Sequence, residues 1–246
     1  MKRFPFHILF LFLPVLCSAQ FTSQGKIYYE RKTSLRMQMQ TQEDNEWVKS
    51  IIDKVAQFTI SEFVMTFNRN ASAYEFVKEQ EVKGMTLSWG PKPCRENKVY
   101  TDFDKGNITA QKMVYENVYL VHTEIPRYRW KIEPEMRNIA GYPCRKAVTR
   151  ICDSVVVVAF YTDQIMVSGG PESFGGLPGM ILGLAIPRLY TTWFATNVEL
   201  LPQEVKPFSP VRKSKKVTQQ EMMDDVTKST RDWGKYGAAL AWWLTL

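Results

Sequence analysis

Hydrophobic and polar positions alternate along most of this chain, and that period predicts strands more often than helices. Ile27, Tyr28 and Tyr29 with interspersed charge mark an opening strand over residues 25–35. Trp47, Ile51, Ile52, Val55 and Ala56 instead recur at helical spacing behind a cap at Asp44 or Asn45, which predicts one early helix. Strands are then expected over 60–67 and 71–77, around Val99 to Phe103, and over 113–121 with a break at Glu116-Asn117. Another is expected over 127–132, ending at Pro134. The clearest hairpin joins 139–151 to 155–161 through Cys152-Asp153-Ser154, and its four consecutive valines suit a strand inside a sheet. A further pair, 181–186 and 190–200, is joined around Pro187-Arg188. A linker-like stretch, 202–216, precedes a C-terminal helix over about 218–232, where Thr218 and Glu221 form a capping box. The expectation is a mainly β (α+β) chain: a single antiparallel meander sheet or half-barrel with one early and one C-terminal helix.

Composition fits a packed domain: 45% of residues are apolar and 23% charged, which excludes disorder, collagen and coiled coil. The first residues carry an address. Lys2 and Arg3 precede an apolar run to Leu16, and Cys17-Ser18-Ala19 places small residues before a cut at Ala19–Gln20. That is the pattern of a secretory signal peptide over 1–19, leaving one domain over 20–246 that is periplasmic, outer-membrane-associated or secreted. Cys17 raises lipid anchoring, against which Leu16 occupies a position where a lipobox needs a small residue. Loss of Lys2 and Arg3 lowers the formal charge from +7 to +5, and the remaining surplus gathers at Arg212, Lys213, Lys215 and Lys216. With no base-stacking aromatics interleaved there, no nucleic acid is expected, while peripheral membrane contact stays open. Cys94, Cys144 and Cys152 remain in an oxidising compartment, where one disulfide and one leftover thiol is the simplest account. Three pairings are open, and Cys94–Cys144 is preferred because Cys152 reads as a turn residue.

Chemistry is sparse. His122 is the single mature histidine, so a histidine-rich metal centre is excluded and any triad would depend on it. It sits in an apolar strand-like run, which favours a structural role. The pairs Met37/Met39 and Met222/Met223 could serve soft copper but fit ordinary core filling. No catalytic, cofactor-binding or metal residues are assigned, and no cofactor is expected.

One segment stands apart. Between two apolar strands lie Gly169, Gly170, Pro171, Glu172, Ser173, Phe174, Gly175, Gly176, Leu177, Pro178 and Gly179. Leu177-Pro178-Gly179-Met180 has the signature of a type II turn. Gly170, Pro171, Phe174, Gly175, Gly176, Leu177, Pro178 and Gly179 make a loop that contacts a ligand or partner, or one that packs structurally.

These residues resemble the motif of the GLPGLI (Porph_ging) proteins, an exported family of the Bacteroidota, with Met180 replacing one leucine. Ile139-Ala140-Gly141-Tyr142-Pro143-Cys144-Arg145-Lys146-Ala147, Ala159-Phe160-Tyr161-Thr162 and Gly170-Pro171 resemble further family segments in the same order. The resemblance implies an exported protein without established biochemical activity. The run of β-elements also resembles the half-barrels of periplasmic lipoprotein carriers, an analogy of topology alone. Together these favour a non-enzymatic envelope protein for binding, carrying or assembly, its partner an apolar ligand or an envelope protein. The alternatives are a hydrolase using His122 and a copper-handling protein.

Overall fold

A computed structural model describes residues 23–40, 46–86, 94–151, 154–233 and 235–246. The expected signal peptide, Cys17, the Asp44/Asn45 cap and Cys152 lie outside these residues. Among the described residues twelve strands form one mixed sheet that is not closed into a barrel, so the fold is mainly β. The first six are β1 (Gly25–Ser34), β2 (Phe58–Phe67), β3 (Ala71–Glu79), β4 (Lys98–Asp102), β5 (Asn107–Val114) and β6 (Asn117–Glu124). They step outward from β1 by antiparallel neighbours. The chain then crosses to the opposite edge. From there β7 (Lys131–Ile139), β8 (Tyr142–Ile151), β9 (Val155–Thr162), β10 (Met180–Ile186) and β11 (Thr191–Glu199) step back, until β11 pairs with β1. Two meanders thus meet at the first and eleventh strands, a closure that no local pattern announces. β12 (Lys215–Val217) adds in parallel to the outer edge of β6, so the linker-like stretch ends in a strand.

Two expected boundaries move, each for a visible reason. β7 runs through Pro134 instead of ending there; it is an edge strand, and its pairing with β8 is irregular between Ile132 and Met136. Proline is tolerated where no ladder N–H is required. Ile139 belongs to β7, not to the next strand, because Ala140 (φ 50°) and Gly141 (φ 86°) make a two-residue hairpin turn. Positive φ at both central positions matches the twist of the flanking strands.

Among the described residues there are four α-helices where two were expected. α1 (Leu35–Gln40) and α2 (Glu46–Ile51) bury Met39 and Val48 with Val55 in a small satellite cluster. α3 (Gln219–Ser229) begins at the expected capping box: Thr218 Oγ1 accepts from Glu221 N–H, and Thr218 N–H donates to Glu221. α4 (Lys235–Leu244) follows, and Leu240 and Leu244 pack with Met222 and Val226 of α3 over Val114, Tyr119 and Val121. Tyr119 Oη donates to Asp225 at 2.6 Å, and Lys215 Nζ reaches the same carboxylate at 3.2 Å, which ties α3 to β12 and β6.

β1 alternates buried and half-buried residues along its whole length. Its inward set is Ile27, Tyr29, Arg31 and Thr33, so a charge stands at a core position. Ile27, Phe63, Met65, Phe67 and Tyr74 are essentially inaccessible to solvent. The inner surface, expected to hold an apolar ligand, is therefore filled by its own side chains. The sheet curls at its other half: Ile139 of β7 and Phe194 of β11 both come within 3 Å of where a Gly183 side chain would start (Cδ1 at 2.9 Å, Cε1 at 2.8 Å).

Candidate functional site

The glycine-proline segment links β9 to β10 and is mostly interior. Gly170, Pro171, Phe174, Gly175, Leu177 and Gly179 are buried, while Gly176 and Pro178 face solvent. Its polar backbone is held from outside and within. Trp130 Nε1 donates to Gly175 O at 2.9 Å, Gly176 N–H to Ser168 Oγ at 3.0 Å, and Phe174 N–H to Pro171 O at 3.2 Å. The Phe174 ring stacks on Tyr128 with centroids 5.2 Å apart. At Gly179 the backbone is left-handed (φ +147°), and a side chain there would collide with the carbonyl of Thr162. The expected type II turn does not form. Gly179 N–H bonds Leu177 O at 2.8 Å, a three-residue turn about Pro178, because Met180 N–H is drawn to Ile165 O at 3.1 Å.

Beneath the loop lies what the sequence reading missed. Glu172, at φ +55°, points into the core with its side chain fully buried. Asn97 Nδ2 donates to its Oε2 at 2.9 Å and Trp193 Nε1 to its Oε1 at 3.3 Å. Arg31 Nη1 stands 3.6 Å from Oε1. The guanidinium also donates to Cys94 O at 2.7 Å and lies 4.8 Å from the Phe63 ring centroid. A second buried cation, Lys112, donates to Leu244 O at 2.8 Å. Burial lowers its pKa, and the Cys94 and Glu172 charges raise it in part. Cys94 Sγ meets Trp243 O at 3.1 Å, and burial pushes its thiol up to about 11. Arg31 thus faces the carboxylate directly while Lys112 adds a second buried positive charge, and the C-terminal carbonyls of α4 supply further negative potential. Two signals foreshadow the cluster: Arg31 and Lys112 fall in register with inward apolar neighbours, and a lone acid interrupts a glycine-proline loop.

The other candidates disperse. Cys94 and Cys144 are both free, so the preferred Cys94–Cys144 pairing is not formed among the described residues, which exclude Cys152. They pack in different core clusters, Cys94 with Trp243 and Trp193, Cys144 with Ile139 and Phe160. His122 is exposed on β6, its Nδ1 3.1 Å from Thr109 Oγ1. Met39 and Met222 are buried in separate clusters, and Met37 is exposed. No group of three His, Cys, Asp or Glu among the described residues is arranged to hold a metal ion. No described helix is long and apolar enough to cross a membrane. A surface groove of about 340 Å³ opens beside the loop, lined by Gly106, Glu124, Ile125, Pro126, Arg127, Tyr128 and Gly176.

The fold is similar to part of solved structures of PNGF-II. Its P21 form matches with TM-score 0.53 and 14% identity over 84% of this chain, and its C2 form with TM-score 0.51 and 14% identity over 82%. The chain spans about a third of the length of those structures (34% and 32%), and at this identity the likeness concerns the fold alone. The family described as "Protein of unknown function (Porph_ging)" matches residues 149–183, from β8 through the glycine-proline loop to β10. This match supports the GLPGLI assignment and contains Glu172 and Gly176–Ile181. No curated protein matches the chain.

Proposed function

We propose that this is an exported, non-enzymatic binding or assembly protein of the cell envelope, which engages a protein segment at the groove beside the glycine-proline loop. The observation that carries the reading is the groove itself. Gly176 opens one wall without a side chain, and Ile125, Pro126 and Tyr128 offer apolar contact between the charges of Glu124 and Arg127. Mixed apolar and charged walls suit an extended peptide better than a lipid tail. The filled inner surface supports recognition at the exterior over carriage in an enclosed cavity. The amino-terminal pattern supports export.

Photo-reactive side chains at Glu124 and Arg127, with Gln220 on α3 as control, test this in the native envelope fraction. Adducts of one defined mass at the two groove positions and none at the control are expected. Groove positions that capture nothing, or no more than Gln220, overturn the reading.

A further inference from the structure

The groups around Glu172 come from distant parts of the sheet. Asn97 precedes β4, Trp193 lies on β11 and Arg31 on β1, and only the carboxylate arrives with the loop. Arg31 keeps its place independently of that carboxylate, through Cys94 O and the Phe63 ring. The carboxylate is also imperfectly paired: its nearest guanidinium approach is 3.6 Å, longer than a charge-assisted hydrogen bond. The positive φ at Glu172 adds a backbone cost that its side-chain contacts must offset.

We propose that this cradle is a carboxylate-binding site in its own right, and that Glu172 is its tethered ligand. The loop is then seated by recognition of an anion, and its glycines allow the backbone to deliver that anion through a tightly packed layer. A free small carboxylate takes the site when the tethered one is removed, as a ligand enters an engineered cavity. The cradle favours a planar, bidentate anion, because guanidinium, amide and indole N–H groups converge on two oxygens.

The test is rescue of Glu172→Ala. The variant should melt below the wild type, and formate or acetate should restore about 5 °C, saturably, at concentrations well above Kd. Chloride at equal ionic strength and formamide should not. The same additions should leave the wild type and Arg31→Met/Glu172→Ala unchanged. Equal shifts with formate, formamide and chloride, or no shift at all, overturn the proposal. If Glu172→Ala does not fold, Glu172→Gln keeps the shape without the charge. A Gln variant melting at the wild-type temperature overturns the proposal too, and a lowered melting temperature supports it.

Discussion

Replacing Arg31 by Met removes the guanidinium and keeps the flexible stem that packs against Phe63. Arg31 and Glu172 side chains are 7% and 0% exposed, so the pair belongs to the interior and not to the screened surface. Removing one partner leaves a buried carboxylate without its nearest cation, held by the Asn97 and Trp193 donors. It also strands the Cys94 carbonyl. Breaking such a buried pair costs about 3–5 kcal/mol. For a chain of this size each kcal/mol lowers the melting temperature by about 2–4 °C, so Arg31→Met should lose roughly 10 °C. Urea unfolding followed by tryptophan fluorescence measures it, and Trp193 lies against Glu172 as a local reporter. The decisive variant is Arg31→Met/Glu172→Gln. With both groups neutral neither is left as the unpaired partner of the other, and the double change should be less damaging than Arg31→Met alone. If the two single effects merely add to within about 0.5 kcal/mol, the two side chains are not coupled and the reasoning fails. Lys49→Ala breaks an exposed pair with Glu46 (59% and 87% exposed) and serves as the control with no measurable shift expected.

Two further expectations separate packing from exposure. Gly179→Ala meets the Thr162 carbonyl at positive φ and should cost at least about 2 kcal/mol, whereas Gly176→Ala, also at positive φ but with Trp130 Nε1 at 3.7 Å as its nearest neighbour, should cost only about 1; thermal melts that rank the two alike would remove the packed reading of the loop. Cys94 and Cys144 should resist alkylation in the native protein near pH 8 and react in urea without reductant. Burial holds their thiol pKa values at about 11 and about 12, above the ordinary 9.0, so their contribution to stability is intact below pH 9 and lost as pH rises toward those values. A Cys94→Ala variant whose stability falls as steeply above pH 9 as the wild type's would contradict this.

The sequence by itself determined the local elements. Period-two alternation placed most of the strands, the Thr218/Glu221 pair placed the start of α3, and Gly179 declared a positive φ, because each depends on neighbours a few residues apart. The loop was legible as unusual, and its motif carried the family resemblance. Tertiary structure alone decided what the loop encloses. Asn97 and Glu172 are 75 residues apart in the chain, Lys112 and Leu244 are 132 apart, and only the pairing of β11 with β1 brings Arg31 beside Trp193. Strand order follows from which faces bury each other, and that sum over the whole chain is absent from any local window. For the same reason β7 could continue through Pro134. Whether proline ends a strand depends on having a neighbour on that side, and β7 lies at the edge of the sheet.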